Sequence, residues 1–402
     1  MKKFLALAMA LAMTFTLASC GEESGVSAGT AGSAAAAGTN PVVKIGVFEP
    51  ASGDNGAGGK QETLGIQYAN SVCPTVEIGG VTYDVELVAV DNESSNDKAA
   101  TAASTLVNAG VSVVVGSYGS GVSIAGGPTF GAAGIPAIGI TCTNPQVTEG
   151  NDYYFRICFL DPFQGTVLAN YALNELGVTK AYCLSKLGDD YSGGLVNYFV
   201  KAFEAAGGQC VQETFPDGNS DFTSYVANAK NAGCEVFFSP VSTEAAQLII
   251  DQCDAQGYKV PILAGDTWDS NVILQAAKGK DIDITVTTFY PEGANADFDN
   301  GFKAWVNADK TRLQSNGGDD TVAAVSAMGY DAYFFALEAL KKAGSTEAAK
   351  VKEALWGTEC DGVSGHIALD STNGDAVRDT AYVKHANTET GTWDALPAVT
   401  VK

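Results

Sequence analysis

The chain has 402 residues, 46% of them hydrophobic and 17% charged, with a formal net charge of −23. That length exceeds one typical hydrophobic core and points to two folded units. So acidic a surface argues against nucleic acid and against an anionic bilayer surface as partners. Two histidines, and nine cysteines without a CxxC pair, argue against a structural zinc site.

At the start, Met1-Lys2-Lys3 precede an apolar run over 4–18 that stops at Leu17-Ala18-Ser19-Cys20. A basic start, a short apolar stretch and a small-residue cleavage site read as a secretory signal over 1–19. The run is shorter than the roughly 20 residues a bilayer-spanning helix needs. A cysteine directly after Leu-Ala-Ser looks like a bacterial lipobox, with Cys20 the acylated first residue after cleavage. Loss of Lys2 and Lys3 takes the formal charge to about −25. Residues 21–40 are mostly Gly, Ala, Ser and Thr without apolar periodicity, which reads as a flexible tether. The expectation for 20–40 is therefore a lipidated cysteine and tether, holding a soluble head near a membrane.

From Pro41 onward, apolar strand-like runs alternate with amphipathic segments. Strands are expected at 44–48, 85–90, 111–115, 136–140 and 154–159, with helices at about 60–72, 98–108 and 123–133. The pattern then restarts, with helices at 163–176, 193–206, 222–232 and 244–256. Its strands fall at 180–185, 209–215, 235–239, 261–265 and 284–290. Long helices at about 298–314 and 322–343 and a shorter one at 346–355 precede strands at 366–369 and 381–385. Near-continuous apolar strands joined by helices imply parallel sheets covered on both faces. The fold class expected is α/β, with two successive doubly wound units. Cys158 and Cys183 lie in strand-like runs and are expected as buried thiols.

Ligands of such sheets bind outside the carboxyl ends of strands, which singles out 49–59, 117–122, 141–145, 187–193, 240–243 and 266–270. Asp54-Asn55-Gly56-Ala57-Gly58-Gly59-Lys60 resembles a phosphate loop only superficially. Asp54 replaces its first glycine, and Gln61 stands where Ser or Thr would hold magnesium; a mobile loop at a cleft mouth is expected instead. Gly/Ser-rich residues 116–121 come with no histidine base, because His366 and His385 lie near the C-terminus. No nucleophile–base pair is evident, so neither an enzyme nor a cofactor is expected. Ser120 follows a strand, precedes a helix and is expected to cap it. A helix N-terminus with free N–H groups suits a carboxylate. Thr141 and Thr143 follow the neighbouring strand, and Asp266 ends a strand of the second unit, where it could meet an ammonium across a cleft. The set suits a zwitterion.

At these residues the chain resembles the branched-chain amino-acid-binding family of extracellular receptors. The resemblance rests on Lys44-Ile45-Gly46-Val47 with Ser52-Gly53, Val114-Val115-Gly116-Ser117 and Gly134-Ile135-Pro136-Ala137-Ile138. Further on it rests on Thr143-Asn144-Pro145, Phe155-Arg156, Asp161 with Gln164-Gly165, and Asp190-Tyr191-Ser192-Gly193-Gly194-Leu195. Asp221-Phe222, Gly329-Tyr330-Asp331-Ala332 and Gly362-Val363-Ser364-Gly365 complete it. It implies a type I periplasmic-binding fold, with two lobes joined by three crossovers. Residues 41–160 with 287–364 would form lobe 1, and 161–286 with 365–402 lobe 2. It further implies that Ser120, Thr143 and main-chain groups of Thr141 bind a ligand carboxylate. The Thr141 carbonyl, Thr143 hydroxyl and Asp266, or its neighbour Thr267, would hold the ammonium, and Tyr191 would close over the ligand.

An aromatic residue that often lines the side-chain pocket of the family falls at Gly58. A wider or adaptable wall is expected there, with Tyr118, Tyr191 and Trp268 supplying aromatic surface. The implied function is a monomeric, lipid-anchored binding protein that passes an apolar, bulky or aromatic amino acid to an ABC transporter permease. The rival is a lipid-anchored sensor for an amide or other small solute, and an extracellular hydrolase stands further off.

Overall fold

The computed structural model describes residues 40–400; the expected signal sequence, Cys20 and the expected tether up to residue 39 lie outside them. In chain order the first part holds β1 (Val42–Glu49), α1 (Gly56–Val72), β2 (Thr75–Ile78), β3 (Val81–Asp91) and α2 (Asn96–Ala109). There follow β4 (Val113–Val115), α3 (Ser120–Ala133), β5 (Ala137–Gly139) and β6 (Tyr154–Arg156). They build a six-stranded sheet of order β2-β3-β1-β4-β5-β6, parallel except for the β2–β3 hairpin.

The second part holds α4 (Asp161–Asn170), β7 (Lys180–Lys186), α5 (Asp190–Ala205), β8 (Gln209–Phe215), α6 (Thr223–Asn231) and β9 (Val236–Phe238). After these come α7 (Thr243–Ala255), β10 (Ile262–Ala264), α8 (Asn271–Ala277) and β11 (Ile284–Thr288). Helices α9 (Ala296–Asn307), α10 (Lys310–Ser315), α11 (Ala324–Ala343) and α12 (Ala348–Leu355) then lead to the hairpin β12 (Glu359–Gly362) and β13 (Gly365–Ala368). The last strands are β14 (Thr380–Asn387) and β15 (Thr392–Thr400). The second sheet has the order β15-β14-β11-β10-β9-β7-β8, parallel up to β11 and antiparallel beyond it. The chain thus passes between the two sheets three times, at α4, after β11 and after β13. Strand β13 pairs with β12 rather than with the second sheet.

Each sheet is covered on both faces, as the continuous apolar strands require. Ile45, Val47, Val113 and Val115 face α1 and α11, while Phe48, Val114 and Ala137 face α2 and α3. In the second sheet, Tyr182, Phe237 and Ile262 pack under α6 and α7, and Cys183, Phe238 and Leu263 under α5. Helices α1 and α11 touch along their backbones. A Cβ on Gly329 would stand 2.3 Å from the Glu62 carbonyl oxygen, and one on Gly65 1.9 Å from that of Ser326. That approach seats the first turns of α1 against the strand ends.

Several expectations change in detail. Helix α1 begins at Gly56, so the glycine-rich stretch is its first turn and not a mobile loop. The long segment near 298–314 is two helices, because the Asp309 carboxylate accepts from the Thr311 and Arg312 N–H groups and starts α10 afresh. Strands β2, β12 and β15 and helix α8 were not expected; β2 and β12 are four residues long, too short for an alternation to stand out. None of the eight cysteines after Cys20 is in a disulfide, and Cys158 and Cys183 are buried thiols as expected.

The edge of the first sheet at β6 is closed by residues 374–376, through main-chain hydrogen bonds from Arg156 to Gly374 and from Ala376 to Arg156. Here the fully buried Arg156 donates to Asp375 Oδ1 from Nε at 2.9 Å and Nη2 at 2.7 Å, and from Nη1 to the Cys142 and Asn144 carbonyls. One guanidinium therefore ties the loop after β5 to the segment that crosses back to the second sheet. Arg156→Met leaves Asp375 buried without a counter-charge, with only the Thr148 hydroxyl donating to its side chain. We expect it to lower stability by about 3–5 kcal/mol, read as a shifted midpoint in urea denaturation.

Candidate functional site

The carboxyl ends of the two sheets face each other across a gap. Direct hydrogen bonds span it, from Gln61 Nε2 to Asn271 Oδ1 at 2.9 Å, Ser270 Oγ to Gln61 Oε1 at 3.0 Å, and Asn144 Nδ2 to the Asp190 carbonyl at 2.7 Å. Lys186 pairs with Asp54 at 2.6 Å. Inside the gap lies a cavity of about 40 Å3, lined by residues of both sheets, among them Tyr118, Ser120, Thr141, Tyr191, Asp266 and Thr267. A larger groove of about 350 Å3, by Pro291, Lys303 and Trp393, opens elsewhere and none of these residues lines it.

Helix α3 points its N-terminus into the cavity, with Ser120, Gly121 and Val122 on the wall and no acidic residue in its first turn. The cap is Gly119, and Ser120 is the first helical residue. Its hydroxyl oxygen accepts from the Asn144 N–H at 3.2 Å, since the loop after β5 passes directly beside it. Ser120 therefore does not cap the helix, and its hydroxyl hydrogen stays available next to the free N–H groups of the first turn. Thr143 is fully buried, and its hydroxyl has no hydrogen-bond partner among the described residues. The Asp161 carboxyl lies beside it, also buried, and burial raises it to about 8 against the opposing influence of the Thr143 hydroxyl.

On the opposite wall, Asp266 Oδ1 accepts from Gln164 Nε2 and from the Tyr191 hydroxyl, both at 2.9 Å. Burial raises the Asp266 carboxyl to about 6, against those two hydrogen bonds, which favour its charged form. Thr267 donates its hydroxyl hydrogen to the Val241 carbonyl at 3.0 Å, so between these neighbours it is Asp266 that has a carboxylate for the cavity. Tyr191 reaches from α5 and is 8% exposed.

Three aromatic expectations resolve differently. Tyr118 is on the wall, and its hydroxyl donates to the Thr267 carbonyl at 3.3 Å. Gly58 is buried behind it, where a Cβ would meet the Tyr118 ring at 2.5 Å. The space opposite Gly58 is already taken by an aromatic ring from another loop, so no widened wall exists there. Trp268 is not at the cavity: it is wholly buried in the second sheet's core and donates from Nε1 to the Val241 carbonyl at 3.1 Å.

Two further buried carboxyls stand behind the wall. Glu62 Oε2 accepts from the Thr141 hydroxyl at 2.6 Å, and Glu49 Oε2 accepts from the Tyr118 N–H at 2.7 Å. Desolvation, followed by the proximity of Glu62, holds Glu49 well above the usual carboxylate range; burial likewise raises Glu62. Glu49 had a visible signal, a charge directly after the apolar run Ile45-Gly46-Val47-Phe48. Glu62 had none. The two lysines near the gap are engaged elsewhere, Lys186 with Asp54 and Asp217, and Lys384 with Asp269. Among the described residues, no Lys or Arg lines the cavity.

The family described as periplasmic binding protein matches this chain over residues 42–390. The Leu/Ile/Val-binding protein homolog 1 of Brucella suis biovar 1 is 28% identical over 321 residues, which is 78% of this chain and 82% of that protein. Among solved structures, the leucine binding protein LivK of Thermotoga maritima aligns with a TM-score of 0.77 at 31% identity, covering 89% of this chain and 99% of that one. The branched-chain amino acid transporter substrate binding protein LivJ of Streptococcus pneumoniae, solved with isoleucine, has a TM-score of 0.77 at 26% identity, covering 90% and 100%. With one family matched along nearly all of the described chain, and its two-sheet architecture shared by solved relatives, this chain belongs to the periplasmic binding protein family.

Proposed function

We propose that the protein captures a compact α-amino acid outside the cytoplasm and delivers it to the permease of an ABC importer, anchored meanwhile through a lipidated Cys20 and acting as a monomer. The observation that carries this reading is the pairing of opposite electrostatic ends across one cavity. The α3 N-terminus with Ser120 suits one carboxylate, and Asp266, 2% exposed on the far wall, suits one ammonium. With no Lys or Arg on the wall, a second carboxylate would have no counter-ion. Relatives named for leucine, isoleucine and valine support an amino acid in general. The cavity itself supports a small ligand, since its roughly 40 Å3 is room for about three waters. That is close to an amino-acid head group with a short side chain, and Tyr118 fills the space a larger one would need.

Calorimetry of the head against amino acids, their primary amides, dicarboxylates and benzoate tests the class. Removing one charged hydrogen-bonding end is worth about 10- to 100-fold, so alanine should outbind its amide and propionate by that factor. A screen in which only amides, dicarboxylates or benzoate bind would sink the reading.

Affinity should also follow the ionisation of Asp266. Its folded-state value is about 6, and ammonium binding needs the carboxylate. Affinity is then fully present above pH 6 and falls as the pH drops through it, approaching tenfold per unit; Asp266→Asn should bind weakly and lose this dependence. Tyr118→Ala should move preference from alanine towards leucine or phenylalanine, measured as the ratio of their dissociation constants. An unchanged ratio would remove Tyr118 from the specificity wall.

A further inference from the structure

Asp266 presents only one of its two carboxylate oxygens to the cavity. Oδ1 accepts from Gln164 Nε2 and from the Tyr191 hydroxyl, both at 2.9 Å. Among the described residues no N–H or O–H of another residue donates to Oδ2, and that oxygen is not sealed from solvent. It belongs to a residue on the cavity wall.

Gln164 is wholly buried in α4, and its Nε2 also donates to the Thr287 hydroxyl oxygen on β11, at 2.8 Å. Its own oxygen, Oε1, is buried and accepts from no donor among the described residues. The reverse orientation of the amide would set that oxygen against the Asp266 carboxylate, so the position is built for its N–H groups, at the cost of an unanswered acceptor. Gly265 makes room for this. A Cβ there would stand 2.4 Å from the Tyr191 hydroxyl oxygen and 3.2 Å from Gln164 Nε2, so glycine admits both donors to one oxygen. Thr287 and Asp266 both belong to the second sheet and its strand ends, and the clamp uses no contact across the gap.

The titratable groups facing Asp266 are Asp161 on α4, Tyr191 on α5, Glu62 on α1, Tyr118 before α3, Cys158 ahead of α4 and Asp269 in its own loop. Lys384, the cation beside Asp269, is held by that residue. The two neutral donors on Oδ1 are therefore what favours the charged form of Asp266.

We propose that Gln164 is the positioning residue of the ammonium subsite: its amide bridges Thr287 and Asp266 Oδ1, fixes the carboxylate plane together with Tyr191, and leaves Oδ2 as the one oxygen that meets the cationic group of the ligand. This rests on the amino-acid reading above. Gln164 acts through Asp266 and does not touch the ligand. Holding the carboxylate in place before binding spares the cost of ordering it afterwards.

Gln164→Met keeps the length of the side chain and removes both N–H donors. L-alanine should then bind about 10-fold more weakly at neutral pH, while propionate, which lacks the ammonium, stays within about twofold. Losing a donor makes Asp266 easier to protonate, so the pH at which L-alanine affinity falls should move up from the wild-type value of about 6. A merely structural role would weaken L-alanine and propionate together and leave that pH unmoved; either result overturns the proposal. Gln164→Glu, of the same shape with a carboxyl in place of the amide, carries the test if Gln164→Met does not fold. It should also move the fall to higher pH, and an unmoved fall overturns the proposal. If wild type binds no amino acid, the amino-acid reading falls. The clamp is then read from the Asp266 carboxyl carbon in NMR titrations of the unliganded protein, assigned with Asp266→Asn, and a midpoint unchanged in the Gln164 variants overturns it.

Discussion

Four carboxyl groups, those of Glu49, Glu62, Asp161 and Asp266, are buried around one small cavity that no lysine or arginine lines. Burying a carboxylate without a partner costs several kcal/mol in effective terms, and the fold accepts this four times within one gap. The hydrogen bonds that soften the cost all come from neutral donors: Gln164 and Tyr191 to Asp266, Thr141 to Glu62, and the Tyr118 N–H to Glu49. Protonation softens it further, as the upward shifts of all four groups record. A site arranged in this way lacks positive charge, which the ammonium of the proposed amino-acid ligand would supply.

The scaffold meets that electrostatic cost with rigid packing away from the cavity. Arg156 fixes the loop that carries Thr141 and Thr143 by holding the Cys142 and Asn144 carbonyls, and its own charge is neutralised by Asp375. The contact of α1 with α11, close enough to require glycine at 65 and 329, holds Gln61 and Glu62 over the strand ends. In the second sheet the buried Lys384–Asp269 pair, with Thr288 donating to the same carboxylate, secures the turn after Asp266. The contacts that cross the gap are of another kind. They are amides, hydroxyls and one half-exposed ion pair, each of small net worth because water can replace the partner. Strong interactions thus lie within each wall and weak ones between the walls, an arrangement that would let the proposed closure about the gap reverse.

How much of this was legible follows from what a local reading can see. Apolar runs such as Val113–Val115 and Ile262–Ala264 announce buried parallel strands. The rule that ligands gather at strand ends leads directly to Ser120, Thr141, Thr143 and Asp266. Glu62 was invisible because a charged residue in an amphipathic helix reads as solvent-facing; only the backbone approach of α11, some 265 positions later, buries it. Trp268 sits two residues from Asp266 and yet faces the core, because one short turn sends neighbouring side chains in opposite directions. Gly58 misled for a related reason. Its missing side chain reads as space, but the ring of Tyr118, sixty positions away, occupies it. The Arg156–Asp375 tie spans 219 positions and carries no local signal at all.

The division of the site between the sheets gives it a logic that neither half has alone. The anion end, α3 with Ser120, belongs to the first sheet, and Asp266 with Tyr191 to the second. A solute with only a carboxylate engages one wall and leaves Asp266 buried without a partner charge when the gap shuts, so its closure energy is poor. A solute with only an ammonium finds Asp266 and Thr141, but leaves the N–H groups of α3 unanswered. A zwitterion answers both walls at once, and its two charges are then compensated only in the closed arrangement. Differential affinity of this kind is what allows a ligand to shift a conformational equilibrium. On the proposed function, selectivity for the zwitterion and the drive to close would be one property, set by opposite electrostatic ends on opposite sides of the gap.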